Sequence, residues 1–369
     1  MLKNYFKIAF RNLKRYKLYS FINIFGLAMG IAAFLLILEY VSFEKSVNGF
    51  HEDIDSKYRL LNESTKGETW PQVEPGWAPI AKDRFPEIKA YCRFEEGVAQ
   101  GIVQRADKKD QSFREEKIGY AEGNFFSFFN FKIIKGNKAA FNKSNVVFIS
   151  ASTAKKYFGK EDAIGKNLTL NNQFGQLDYT VEGIYTMPYN SDINYDMLFS
   201  LETLKNNGNL NDNGWAQLDN LNSQYIYTYL QLNAGTDYKK TEQKLISLRN
   251  ELKVDKDGVL FRLQPLANVH LPASFSDNYQ TTGNLKYVYI LSIIALLILS
   301  IAWFNYVNLS TANALKRANE VGVRKVAGAS RQSLITQFLC ESLLVNIIGF
   351  AMALLIVELV QPLFNSIIG

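Results

Sequence analysis

The chain has 369 residues, 47% of them hydrophobic and 14% aromatic, which supplies apolar surface for large folded units and excludes a disordered protein. Its formal net charge of +6 would suit a nucleic-acid binder only if the bases clustered on a folded domain. Residues 44–286 instead hold thirty bases against thirty-one acids, and the excess sits in short pieces beside three long apolar runs, so no nucleic acid is expected as a partner.

The chain opens with "MLKNYFKIAFRNLKRYKL", which sets Leu2, Phe6, Ala9, Phe10, Leu13 and Tyr16 on one helical face and Lys3, Lys7, Arg11, Lys14 and Arg15 largely on the other. That period predicts an amphipathic helix over residues 1–17, lying at the membrane surface with its bases toward lipid headgroups. The run "SFINIFGLAMGIAAFLLILEYVSF" follows. It exceeds the roughly 20 apolar residues that a membrane crossing takes and predicts a first span at 18–43. No small-x-small cleavage site follows, so it is an anchor rather than a signal peptide. Within it Gly26 and Gly30 form G-x-x-x-G beside Ala28 and Ala32, a strip that lets another helix come close.

Residues 44–285 mix two periods. "SKYRLLNES", "NVVFIS", "KNLTL", "DYTVEGIYT", "QYIYTYLQL" and "GVLFRLQPL" predict strands; "SASTAKKYF", closed by Gly159, and residues 237–252, with Leu245, Leu248 and Leu252 on one face, predict helices. The expected fold class is three transmembrane helices with a large α+β extracytoplasmic domain, in two subdomains, inserted between the first and second.

A second span is expected at 286–310 and a third at 333–360, joined over 311–332 by a loop containing "KRANEVGVRKVAGASRQS". Short cytoplasmic loops collect Lys and Arg, which places the N-terminus and this loop inside and the 44–285 domain outside. Glu320 and Arg324 stand at i, i+4 with the acid first, so the second span should continue as a helix past the membrane. Gly328 can close that helix and Ser330 can cap the third span. Glu341, about two turns into the third span, is an intramembrane acid that must find water or a partner, which makes it a functional candidate.

Catalytic patterns fall short. "GKEDAIGKN" has five residues between its glycines where a phosphate-binding loop has four, and Asn167 stands in place of the hydroxyl; a turn before a strand fits better. Ser152 and Lys155 make S-x-x-K, followed by Ser276-Asp277-Asn278 and Thr281-Thr282-Gly283, but the last lacks its Lys and follows the second at once. Cys92 and Cys340 fall in different compartments, which argues against a disulfide, and no metal-ligand spacing occurs. His51 and His270 are expected to be ordinary surface residues. Neither a cofactor, a metal nor a catalytic group is expected.

"RANEVGVRKVAGASRQSLITQFLCESLL" resembles the signature of the FtsX-like permease domain of ABC transporters, close to E-I-G-(V/I)-R-(K)-(A/V)-L-G-A-(S/T)-R. Glu320, Gly322, Arg324, Lys325, Gly328, Ala329 and Arg331 fit it, with Val321 and Ala327 as apolar replacements. "KNYFKIAFRNLKRYKLYSFINIFGLAMGIA" and "FEKSVNGFHEDIDSKYRL" resemble the start of the MacB-type branch in its bacteroidete form, and "VVFISASTAKKYFGKEDAIGKNLTL" with "YTVEGIY" resembles that branch's periplasmic core domain. The resemblance implies a non-catalytic permease subunit, multi-pass in the bacterial inner membrane, working as a homo- or pseudo-dimer. A separate ABC ATPase subunit would dock at Glu320, Gly322, Arg324, Lys325, Gly328 and Arg331, and its motion would reach the periplasmic domain for export or for remodelling with an envelope partner. The family's unit has four spans, and with the fourth absent here an N-terminal fragment is expected. A membrane-anchored receptor or sensor shares the span-domain-span order but wants a cytoplasmic output domain; an envelope hydrolase would need a reactive Ser152.

Overall fold

A computed structural model describes residues 2–108, 111–254, 258–272, 283–316, 318–328 and 330–368, without the side chains of 2–4, 6, 313–320, 324 and 367–368. The chain divides into two units, Met1–Glu44 with Leu285–Gly369, and Lys45–Asn284. Its α-helices are α1 (Leu2–Arg15), α2 (Lys17–Ser46), α3 (Trp77–Arg84), α4 (Phe125–Phe128), α5 (Ala151–Phe158), α6 (Tyr238–Leu252), α7 (Leu285–Lys316), α8 (Ala318–Val326) and α9 (Arg331–Ile368).

In the first unit α2, α7 and α9 are long and apolar enough to cross a membrane. Lipid offers no hydrophobic force to push such helices together, so contact depends on backbones coming close. The glycine strip does this. A Cβ added to Gly30 would collide with the Cβ of Ala302 on α7, and one on Gly26 would lie 3.4 Å from Asn305 Nδ2. The opposite small residues, Ala28 and Ala32, bury against Ala353 of α9, with Met352, Ile356 and Val357 around them. Large apolar side chains such as Phe21, Met29, Leu297, Trp303 and Leu359 remain exposed, as a lipid-facing surface requires.

Tyr16 alone separates α1 from α2; its amide donates to Asn12 O and its carbonyl accepts from Ser20 N. α1 packs along α9, with Ala9 fully buried.

The second unit holds a mixed sheet: β1 (Lys57–Glu63), β2 (Thr69–Trp70), β3 (Gln72–Val73), β4 (Ile88–Phe94), β5 (Gly101–Arg105), β6 (Ser112–Glu115), β7 (Ile118–Ala121), β8 (Ile133–Gly136), β9 (Val146–Ser150), β10 (Asn167–Asn172), β11 (Gly175–Tyr185), β12 (Met197–Ser200), β13 (Ile226–Leu232) and β14 (Leu260–Pro265). The order is β14-β1-β13-β4-β7-β12-β9-β11-β10-β5-β6. β9 runs parallel to β11 and β7 parallel to β12, while the other pairs are antiparallel. The sheet narrows at β4 and β7, which share only the pair Phe94↔Ala121. One side of this waist packs β1, β13 and β14 with α3 and α6 around Trp77, Leu245, Leu248 and Phe261; the other packs β5, β7 and β9 to β12 around Tyr120, Tyr157 and Tyr179.

The waist itself is filled by aromatic rings. "NFFSFFNF", residues 124–131, buries Phe125, Phe126, Phe128, Phe129 and Phe131. Phe94 meets Phe125 and Phe129 edge-on at 5.7 Å between centroids, the arrangement that ring quadrupoles favour. Arg93, 3% exposed, crosses the same waist. It donates to both Glu122 oxygens at 2.7 and 3.2 Å and to the carbonyls of Pro75 and Leu218.

Candidate functional site

The connection between α7 and α9 is set by local chemistry. α8 ends at Val326, and Gly328 takes φ +89°, a left-handed conformation that costs a glycine little and that stops a helix. Its amide donates to Lys325 O at 3.1 Å. Ser330 Oγ then accepts from Ser333 N at 3.2 Å, and Ser330 O accepts from Leu334 N, which starts α9 with a capped end. The cap and stop expected from the sequence are both present.

Gly322 lies in open space, and Lys325 and Arg331 are exposed. Glu320 and Arg324 fall on α8, but their side chains lie outside the described residues, so their expected i, i+4 pair is not among the observed contacts. Val323 and Val326, 70% and 92% exposed, put two uncovered apolar side chains next to these bases. The sequence motif assigned Val323 and Val326 no role; only Val321 and Ala327 were named in it, as apolar replacements.

Glu341 has a protein partner: Asn12 Nδ2 of α1 donates to its Oε2 at 3.3 Å. Lys7, Arg11, Lys14 and Arg15 are exposed on α1, with Lys14 Nζ 5.0 Å from the Phe10 ring centroid; the side chain of Lys3 lies outside the described residues. The sequence assigned Asn12 no role, because nothing local shows that α1 meets α9.

Both histidines depart from the surface role expected of them. His51 is 4% exposed, held against Phe50 at 4.1 Å between centroids and edge-on to Phe129. A carbonyl can only accept, so its Nδ1 carries the proton donated to Phe129 O at 2.7 Å. Burial pushes its pKa down to about 4. His270 places Nδ1 2.7 Å from Asp192 Oδ1, with its side chain 11% exposed.

Ser152 Oγ bonds to Ser150 Oγ at 2.8 Å, and Ser150 caps α5 through Thr153 N. Residues 276–278, 281 and 282, the remainder of the acyl-serine pattern, lie outside the described residues. Lys166 turns the chain into β10, while Gly165 N donates to Val181 O, so "GKEDAIGKN" is a turn before a strand. Cys92 is fully buried, and burial pushes its thiol well up. Among the described residues no three His, Cys, Asp or Glu side chains are grouped to hold a metal.

Residues 20–248 match the model of the MacB-like periplasmic core domain, and residues 292–369 match the FtsX-like permease C-terminal model. The macrolide export ATP-binding/permease protein MacB of Wolinella succinogenes is 22% identical over 98% of this chain and 55% of its own length. The ABC transporter permease YknZ of Bacillus subtilis is 19% identical over 93% of this chain and 82% of its own. A MacB of Bdellovibrio bacteriovorus matches 29% of the chain at 28% identity, across 15% of its own length, so the chain spans only part of the MacB relatives it matches. The periplasmic region of MacB from Actinobacillus actinomycetemcomitans aligns with 63% of the chain and 95% of that structure at 16% identity, with a TM-score of 0.42. With the core-domain model covering residues 20–248 and the permease model most of the remainder, the chain belongs to the MacB/FtsX-type family of ABC transporter permeases.

Proposed function

We propose that the chain is a non-catalytic permease subunit that converts the ATP-driven closure of a separate ABC ATPase into movement of its periplasmic domain. The observation that carries this reading is the uncovered pair Val323 and Val326 on a short capped helix between two candidate spans, flanked by the exposed bases Lys325 and Arg331. Bases alone would suit anionic lipid. A rigid helix with apolar knobs among charges suits a protein socket, where buried apolar anchors supply affinity and rim charges set the register.

On this reading Glu320, Gly322, Arg324, Lys325, Gly328 and Arg331 form the contact with the ATPase. Lys3, Lys7, Arg11, Lys14 and Arg15 hold α1 at the inner leaflet of the bacterial inner membrane, and the subunit works in a pair. The cargo class suggested by the relatives' names is macrolides. The test is co-purification with an ABC ATPase from the same cell, comparing wild type with Val326→Asp and Arg324→Glu. Each substitution should lower the recovered ATPase by about tenfold or more, the equivalent of a single anchor contact. Full recovery and unchanged ATP turnover with both variants would refute the docking assignment.

A further inference from the structure

The last residues of α2, Lys45 and Ser46, belong to the second unit. α2 ends at Ser46, and only Val47 separates it from Asn48. Asn48 is 2% exposed and takes φ +63°, a left-handed conformation that asparagine tolerates better than most side chains. Two residues of a distant segment grip this turn. Asn190 Nδ2 donates to Ser46 O at 2.8 Å, and Asn48 N donates to Asn190 O at 2.8 Å. Asn48 Nδ2 donates to Asp192 Oδ2 at 2.8 Å, while Asp192 N donates back to Asn48 Oδ1 at 3.1 Å. All of these residues belong to the second unit.

The other carboxylate oxygen of Asp192 is taken by His270 Nδ1 at 2.7 Å, on the stretch that leads toward α7. One carboxylate therefore meets both Asn48, two residues beyond α2, and His270. The segment that carries Asp192 is short and held at both ends: β11 ends at Tyr185 and β12 begins at Met197, and these strands flank β9 in the middle of the sheet. Tyr185 OH donates to Tyr195 O at 2.5 Å, and Ile193 and Tyr195 are buried. Ser46 is thus hydrogen-bonded to a segment whose two ends are central strands of the sheet.

We infer that Asp192, with Asn48 as its direct partner, is the positioning residue through which movement of the first span is delivered to the periplasmic sheet, with His270 holding the same carboxylate. This rests on the mechanical reading proposed above. A helix transmits tilt only as far as its attachment is stiff, and an interlocked turn of four hydrogen bonds is stiff where a solvated linker is not.

The test uses the full chain with its co-purified ATPase in nanodiscs, followed by hydrogen exchange with and without a non-hydrolysable ATP analogue. The variants are Asp192→Ala, Asp192→Asn and Asn48→Gly, the last keeping the left-handed turn while removing the side chain. Without nucleotide, the amides of residues 46–51 should exchange at least about tenfold faster in Asp192→Ala and Asn48→Gly, as loss of local closure predicts, while 146–150 in β9 should exchange as in wild type. Asp192→Asn should fall between them and wild type. With nucleotide, the wild-type change in protection at 197–200 should disappear in Asp192→Ala and Asn48→Gly, although ATP turnover persists. Retention of that change in both variants, with β9 protected, would overturn the inference while leaving the proposed function standing. Absence of any nucleotide response in wild type would instead overturn the mechanical reading and this inference together.

Discussion

The two units solve the same packing problem with opposite materials. In the helical unit contact is made by what is missing: Gly30 has no Cβ where Ala302 sits, and Ala28, Ala32 and Ala353 let α2 and α9 close. In the other unit contact is made by bulk, with Phe94, Phe125, Phe126 and Phe129 filling the waist and Arg93 pairing with Glu122 across it. The difference follows from the surroundings. Water drives large rings together, at about 25 cal/mol per Å² of apolar surface buried; lipid does not, so helices there depend on close backbone approach. The lesson is that the same substitution, adding or removing a methyl group, should have opposite weight in the two places.

The largest break is expected in the aromatic waist. Phe126 is fully buried between Phe141, Phe148 and Tyr185, and Phe126→Ala should destabilise the second unit by about 3–5 kcal/mol. Denaturant unfolding of the full chain in detergent, read by aromatic circular dichroism, should show an earlier transition, and an unshifted one would contradict the packing account.

Next comes acid. The folded pKa of His51, about 4, lies below the ordinary histidine value of 6.5, so the unfolded chain binds the proton first. The contribution of the neutral ring is complete above pH 6.5 and is lost as pH falls toward 4, at about 1.4 kcal/mol per pH unit. His51→Phe should flatten the stability profile over that window; an unchanged acid slope would show that His51 is not buried neutral.

The smallest effect is expected in the helical unit. Gly30→Leu should separate α2 from α7 at a cost of about 1–2 kcal/mol, read as reduced crosslinking between cysteines placed at 33 and 299, whereas Leu297→Ala on the exposed face should change little. Equal loss in both would mean that the glycine strip is not the contact.

Much of this was legible in the sequence. The runs around β1, β9, β10, β11, β13 and β14 announced themselves by β-branched and aromatic residues, α5 by its closing Gly159, α6 by its leucine face, and the candidate spans by length. The short strands β5 to β8 and β12 did not, since four or five residues carry no period of their own and are strands only because neighbours pair with them. "NFFSFFNF" was silent for another reason: every position is buried, so no face is marked. The partners of Glu341 and Asp192 were beyond reach, because Asn12 is 329 residues from Glu341 and Asn48 is 144 from Asp192. The "VNGF" turn carried the Asn-Gly signal, but nothing in it named what would hold the turn. The surface role expected of His51 failed because a histidine flanked by Phe50 and Glu52 has no local mark of burial; distant Phe129 supplies it.

The most direct measurement concerns the side of the membrane on which the α7 to α9 connection stands. Cysteines placed singly at 324 and at exposed Tyr189, in a chain with Cys92 and Cys340 replaced, can be offered a membrane-impermeant maleimide in intact spheroplasts. Labelling at 189 with none at 324 until the membrane is opened is the result expected for an elbow gripped by a motor inside the cell. Labelling of 324 from outside would contradict the account, because no cytoplasmic ATPase could then reach Val323 and Val326.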